Sequence, residues 1–377
     1  MKIFTKKSFA FLMAILMMFT LVACGGEKKE ETTVAGTENT NGELVIGVTS
    51  FADTLEPTEQ YFSWVITRYG VGENLVRFNE SGDLEPSLAE EWKVSDDKLT
   101  WEFKIRDGVK FSNGNPLTAE AVKSSLDRTF RKSKRADGFF KPTSIVADGQ
   151  TLKISTEKPV AILPQCLADP LFLIIDTSDN VEEYTTNAPI CTGPYVFKEF
   201  VPTEYAVVER NENYWGGKPG LAKVTFKCIN DQSTRALSLK SGEIGVAYNL
   251  KIENKADFEG QDDINIQELK SLRSTYAFMN QHGAFGDLSL RQALLRALDK
   301  KTYTEKLLGG AATPGKATIP PTLDFGFDKL VDENAYNPES AKEILAKAGY
   351  KDIDGDGFVE KPDGSKLELN FVIYTSR

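Results

Sequence analysis

The stretch from Glu91 to Val122, EWKVSDDKLTWEFKIRDGVKFSNGNPLTAEAV, changes its hydrophobic period part-way along. Leu99, Trp101, Phe103 and Ile105 alternate with polar residues, the period of two of a half-buried strand. Asp107-Gly108 supplies a turn, so LTWEFKIRDGVKF predicts a strand pair around it, its aromatic rings packing a core. A helix follows. In TAEAVKSSLDRTF, Thr118 is placed to cap, Glu120 falls in the positive first turn, and Val122, Leu126 and Phe130 recur four apart on one face. The same alternation of strand and helix periods continues outward. Val224, Phe226 and Cys228 predict another strand. SLRQALLRALDK predicts a helix with Leu290, Ala293, Leu294, Ala297 and Leu298 on one side. NPESAKEILAKAG predicts a third, capped by Asn337, opened by Pro338 and ended by Gly349. Mixed elements along the whole length place the chain in the α/β class.

The N-terminus has a different character. Lys2, Lys6 and Lys7 precede an apolar run from Phe9 to Val22 that is too short to span a membrane, the pattern of a secretory signal peptide over residues 1–23. Leu21-Val22-Ala23-Cys24 is similar to the bacterial lipoprotein signal, which would leave Cys24 as the lipid-modified first residue. Residues 24–42 are small and polar, as in a flexible tether. The expected location is therefore extracytoplasmic, anchored to the membrane through lipid on Cys24. Loss of residues 1–23 removes three lysines and no acid, leaving 42 basic against 55 acidic residues, a formal charge of −13. Such a chain does not bind nucleic acid, which needs clustered cations. The dense basic run Arg128–Arg135 reads as a solvated helix end. Beyond Cys24 there are Cys166, Cys191 and Cys228, an odd number without CxxC spacing, and pairing does not follow from sequence. A mature chain of about 350 residues exceeds one core, so at least two lobes are expected.

Catalytic signatures are sparse. With one histidine, His282, and no GxSxG elbow, neither a Ser-His-Asp triad nor HExxH is available. The GGKPG at Gly216–Gly220 breaks a phosphate loop at Pro219, and GVGENL at Gly70–Leu75 reads as a turn or close packing. The 55 acidic residues leave a carboxylate pair for glycoside chemistry open, though nothing singles one out. The balance favours a tethered binding protein without a cofactor over a secreted lipoprotein hydrolase.

The opening stretch resembles the hallmark segment of the family 5 solute-binding proteins of ABC importers, which carry peptides, nickel or metallophore complexes. ENLVRFNESGDLEPSLAEEW before it, then TGPYVFKEF from Thr192, RNENYWGGKP from Arg210, TRALSLKSGEI from Thr234 and RQALLRALDK from Arg291 agree in order. The resemblance implies a two-lobed periplasmic-binding-protein-like α/β fold of type II with an extra subdomain. Residues 43–76 and 190–268 would form lobe I, 77–189 its inserted subdomain, and 269–377 lobe II. It implies a monomer that closes on its ligand and docks on an ABC permease and ATPase complex. Relatives continue past LNFVIYTSR, so a truncated second lobe is expected.

For the ligand, a peptide or peptide-sized solute is expected, and a nickel or metallophore complex is the alternative. One histidine is too little for a bare Ni²⁺ or Zn²⁺ site, whereas a chelated metal needs only arginine for carboxylates and aromatic surface. The resemblance places Tyr61, Phe62 and Trp64 of EQYFSW at the cleft. Arg135 stands where nickel-type members offer an arginine, and Asp169 where they carry a cation. Arg273, Tyr276 and Asn280 of SLRSTYAFMN would face the cleft along the crossover, with alternate residues buried. One motif stands apart: DIDGDGFVEKPD, Asp352–Asp363, whose Asp352, Asp354 and Asp356 occupy the early ligand positions of a calcium loop. Its twelfth position is Asp363 rather than Glu, and SKLELNFVIY, a predicted strand, follows instead of a second helix. A solvated connection between helix and strand explains the composition without a metal.

Overall fold

The computed structural model describes residues 42–49, 52–179, 181–182, 188–323 and 325–373. Cys24, the signal segment and the tether up to residue 41 lie outside the described residues; Gly42, assigned above to the tether, opens the first strand. The first sheet has the order β11 (Val246–Ala247), β1 (Gly42–Val48), β10 (Leu221–Cys228), β9 (Tyr205–Arg210), β8 (Tyr195–Val201). β1 lies parallel to both neighbours, so the chain must cross over between them. β10, β9 and β8 run antiparallel. The alternation in β10 buries Val224 and Phe226. Tyr69, just after helix α1 (Phe62–Arg68), stacks on Phe226 with centroids 3.6 Å apart.

The opening stretch of the sequence builds a second sheet, in the order β4 (Ala89–Val94), β5 (Thr100–Ile105), β7 (Thr151–Thr156), β6 (Pro142–Asp148), antiparallel throughout. A hairpin of β2 (Val76–Phe78) and β3 (Leu84–Pro86) precedes it. Phe103 and Ile105 are fully buried, as their spacing predicts. The expected strand pair around Asp107-Gly108 does not form. Gly108 makes the turn with φ +76°, but β5 pairs with β4 and β7, and Val109–Phe111 closes a local loop through Leu117 N–H to Val109 O and Phe111 N–H to Asn115 O. Two side chains of FSNGNP explain the loop. Asn113 and Asn115 both donate to Asp176 Oδ2 at 2.7 Å. Burial works to raise that carboxyl, and these amides with the Ser178 N–H outweigh it and lower it.

Helix α2 (Ala119–Lys132) covers this sheet. Thr118 caps it, accepting from Ala121 N–H, and Val122 and Leu126 are fully buried. Arg128, in the basic run read from sequence as a solvated helix end, behaves differently. It is 2% exposed and grips Glu56, itself 2% exposed, through Nη1 at 2.9 Å and Nη2 at 2.6 Å. The helical repeat puts Arg128 about 200° from Leu126, so α2 is buried on two sides, by the sheet and by the segment after β1. Burial alone would raise the Glu56 carboxyl; hydrogen bonds from Arg128 and Thr58 and the guanidinium charge overcome it and hold the group at about 2.

A seam joins the two sheets. Gly193 N–H and Tyr195 N–H donate to Val71 O and Gly70 O, each at 3.0 Å. An added Cβ at Gly193 would meet both carbonyl oxygens at 2.5 Å. Glu73, in GVGENL, is the polar centre of this seam. It accepts from Thr192 Oγ1 at 2.7 Å, Trp215 Nε1 at 2.9 Å and Tyr214 OH at 3.4 Å. Burial pushes its carboxyl up, with these donors opposing the shift in part. Tyr214 and Trp215 are thus anchored, and Arg106 lies over the Trp215 ring at 4.6 Å.

Helix α3 (Leu163–Leu167) and helix α4 (Gln232–Lys240) complete this part. From α4 the buried Arg235 donates to the carbonyls of Ile229 and Asn249. Cys166 and Cys191 are buried as free thiols. Helices α5 (Leu288–Ala297) and α6 (Pro338–Lys347) pack on each other. Their caps are Asp287 and Asn337, and Tyr350 OH reaches Asp287 at 2.8 Å. Leu290 and Ala293 are buried, but Ala297 and Leu298 are exposed. No strand forms over the described residues 366–373, against expectation, because no described strand lies beside them; Phe371 is 78% exposed.

Two outcomes test this architecture. Gly193→Ala forces two backbone carbonyls apart and is expected to cost about 2 kcal/mol or more, read as a lower urea midpoint with unchanged slope. Glu56 contributes stability that is complete above its unfolded value near 4.5 and disappears as pH falls through about 2, worth about 3 kcal/mol by linkage. The stability difference between wild type and Glu56→Gln should therefore be largest between pH 5 and 7 and shrink progressively in acid; a difference independent of pH would refute the ion pair.

Candidate functional site

The structure brings three of the expected site residues together. Tyr61, directly before α1, is 56% exposed. Its ring lies under the Arg135 guanidinium at 4.0 Å, a cation–π contact. Trp64 meets Tyr61 edge-on at 6.1 Å, and Arg68 lies 5.4 Å from the Trp64 centroid. Arg135 Nη1 also donates to Gln60 O at 2.6 Å. Phe139, four residues after Arg135, approaches the same guanidinium at 6.0 Å. The result is a half-open face of aromatic rings carrying a cation.

Local sequence explains how this face is built. α2 ends at Lys132, Ser133 Oγ accepts from Arg135 N–H, and a tight turn over Ala136–Gly138 returns the chain. Ala136 is buried, so Arg135 is held at the rim while its neighbour anchors. On the opposing segment Gln60 adopts φ +43°, a left-handed conformation that non-glycine residues take only under restraint. Thr58 supplies part of it through N–H and Oγ1 to Glu56 Oε1 at 3.1 and 2.6 Å. Glu56, Thr58, Gln60 and Arg128 were not apparent from sequence. Arg128 sat in a basic run, and the only available signal was its place on a helix whose opposite face was already apolar.

The other expected residues lie elsewhere. Phe62 is 3% exposed and packs with Ala52 and Val65, a core position. Asp169 caps the short turn Pro170–Phe172, accepting from Leu171 N–H at 2.9 Å. Arg273, Tyr276 and Asn280 are exposed. Tyr276 meets Phe278 edge-on at 5.2 Å, and Asn280 Oδ1 accepts from His282 N–H. Among the described residues no hydrogen bond, ion pair or ring contact joins them to Tyr61, Trp64 or Arg135. The alternating burial expected for residues 271–280 is not seen: most of them are exposed.

Asp352, Asp354 and Asp356 gather within 4.8 Å of one another, all exposed. Their oxygens are turned inward on the loop. Asp352 accepts from Gly355 and Gly357 N–H, Asp354 from Asp356 N–H, and Asp356 from Phe358 N–H. These are the bonds of a sharply turning connection. A hollow of about 360 Å³ is bordered by Ala284, Asp287, Tyr350, Lys361 and Asp363, and none of the expected site residues lines it.

Chemically, the Tyr61–Arg135 face offers a donor fork and flat apolar surface, suited to a carboxylate borne on a small organic body. The chain is 31% identical over 318 residues to the nickel-binding periplasmic protein of Escherichia coli, covering 80% of this chain and 60% of that protein. It is 29% identical to the probable D,D-dipeptide-binding periplasmic protein of the same organism, covering 79% and 61%. Among solved structures it is similar to NikA from Brucella suis in complex with Fe(III)-EDTA, with TM-score 0.77, 29% identity, and coverage of 87% and 68%. The chain thus spans about six tenths of the length of these curated relatives. Its fold is the mixed α/β fold of two-lobed periplasmic binding proteins. A family model described as bacterial extracellular solute-binding proteins, family 5, middle, matches residues 83–377, and with the seam, the two sheets and the relatives in agreement, the chain belongs to the family 5 bacterial extracellular solute-binding proteins.

Proposed function

We propose that this chain is the capture component of an ABC importer, taking up a peptide or peptide-sized solute that bears a carboxylate and passing it to a permease driven by an ATPase. It works as a monomer outside the cytoplasmic membrane, tethered through lipid on Cys24. The observation that carries the ligand reading is the half-exposed Arg135 guanidinium, stacked at 4.0 Å on Tyr61 and tied to Gln60 O. A guanidinium so held keeps N–H groups for a ligand carboxylate, while Tyr61 and Trp64 offer flat surface beside it. Residues 43–76 with 190–268 form lobe I in this reading, 77–189 its subdomain, and 269 onward lobe II. Arg273, Tyr276 and Asn280 would meet the ligand from the second lobe, since closure is selective only if the ligand touches both. Phe62 and Asp169 have no part in it.

A chelated metal is the second reading. The same face would take the carboxylates of a nickel complex, and the relatives that bind nickel or a metal chelate support it. No bare-ion site is proposed, since the sole histidine, His282, is exposed and stands just before a short turn.

The first measurement is mass spectrometry of the solute that co-purifies with the protein. Titration calorimetry with di- and tripeptides and with nickel–histidine then separates the two readings: binding to peptides alone retains the first, binding to the complex alone replaces it with the second. Arg135→Ala should weaken the ligand that binds by about tenfold or more, the range for losing a charge-assisted hydrogen bond, with the thermal midpoint little changed. An unaltered dissociation constant removes Arg135 from the site.

A further inference from the structure

Arg128 and Arg135 both emerge from the C-terminal end of α2 or just beyond it, and the segment Glu56–Tyr61 hangs between them. At one end Arg128 holds Glu56 by a bidentate pair of 2.9 and 2.6 Å. At the other Arg135 holds the Gln60 carbonyl at 2.6 Å and covers the Tyr61 ring. Between them Thr58 folds back on Glu56, and Gln60 turns left-handed at φ +43°. A glutamine does not stay in that conformation on local preference, so the restraint comes from the two ends. The buried end is reinforced: Lys132 Nζ lies 3.7 Å from Glu56 Oε2, and Glu182 Oε1 lies 3.5 Å from Arg128 Nε.

We propose that the buried Glu56–Arg128 pair is a positioning device, setting the height and angle at which Tyr61 meets Arg135 and so the shape of the recognition face. Apolar residues of similar volume could fill the same space, though the Thr58 N–H and Oγ1 would lose the carboxylate they donate to. Such residues would not do the same job. A fork-to-carboxylate pair has one good arrangement, whereas apolar side chains tolerate sliding, so the ion pair fixes register where packing alone would leave it loose. Glu56 and Arg128 are too buried to meet a solute themselves, and their effect reaches it only through Tyr61 and Arg135. The consequence for affinity rests on the binding role proposed above; the consequence for geometry does not.

The full chain, labelled with ¹³C and ¹⁵N arginine, gives a direct readout. The Arg135 side-chain signals are displaced by the Tyr61 ring current and are identified by the collapse of that displacement in Tyr61→Leu. The double variant Glu56→Met/Arg128→Met should still fold, with a thermal midpoint lowered by the loss of the Thr58 acceptor, while the ring-current displacement falls by more than half. Retention of the full displacement in the folded variant overturns the proposal. If the double variant fails to fold, Arg128→Lys decides in its place, since it keeps the charge and loses the fork: a reduced displacement in the folded variant supports positioning, an unchanged one rejects it. Calorimetry of the double variant with nickel–histidine and with dipeptides should show about tenfold weaker binding of whichever probe wild type binds. A lost displacement with unchanged affinity leaves the positioning role standing and overturns the assignment of the Tyr61–Arg135 face as the binding site.

Discussion

A carboxylate largely, though not fully, enclosed at the seam between two sheets organises much of this molecule. Glu73 collects donors from Thr192, Tyr214 and Trp215, residues far apart in the chain that must converge before its desolvation is compensated. An acid so placed is unfavourable until every partner arrives. It therefore favours one arrangement of the returning chain over others that would bury the same apolar area. The close backbone approach of Gly193 to Gly70 and Val71 is the steric counterpart of that electrostatic condition. Together they explain why GVGENL, TGPY and RNENYW form a unit in space, although no one of them carries a recognisable element.

Charge inside this protein is used in two ways. Glu73 is pushed up by burial among neutral donors, whereas Glu56 is held down by a guanidinium at bonding distance. Burial opposes ionisation at both, and the partner decides the outcome. Arg128 and Arg135 show the same division on one helix end: the first is spent on the interior, the second is left at the rim with a ring beneath it.

The fold was legible in the sequence where periodicity was strong and local. The cap at Thr118, the buried faces at Val122 and Leu126, the alternation of Phe103 and Ile105, and the Asn337-Pro338 start all follow from spacing. What failed did so for reasons of partnership. Val109–Phe111 alternates like a strand, but β5 found its neighbours in β4 and β7, and the asparagines of FSNGNP drew the loop to Asp176. Residues 366–373 also alternate, yet no described strand lies beside them. Tyr61, Trp64 and Arg135 were named one by one from resemblance, not as neighbours of one another, and Phe62 was not separated from the other rings because aromatic density does not reveal which ring points inward. Arg128 was misread because a basic run looks solvated until its long-range acid is known.

Cys191 lies fully buried at this same seam, and burial with the nearby Glu73 charge pushes its thiol up; Cys166 is shifted the same way, chiefly by burial. Thiol–disulfide exchange proceeds through the thiolate. Packing that serves to close the core thus also disfavours the thiolate form of these two sulfurs, the form through which exchange proceeds.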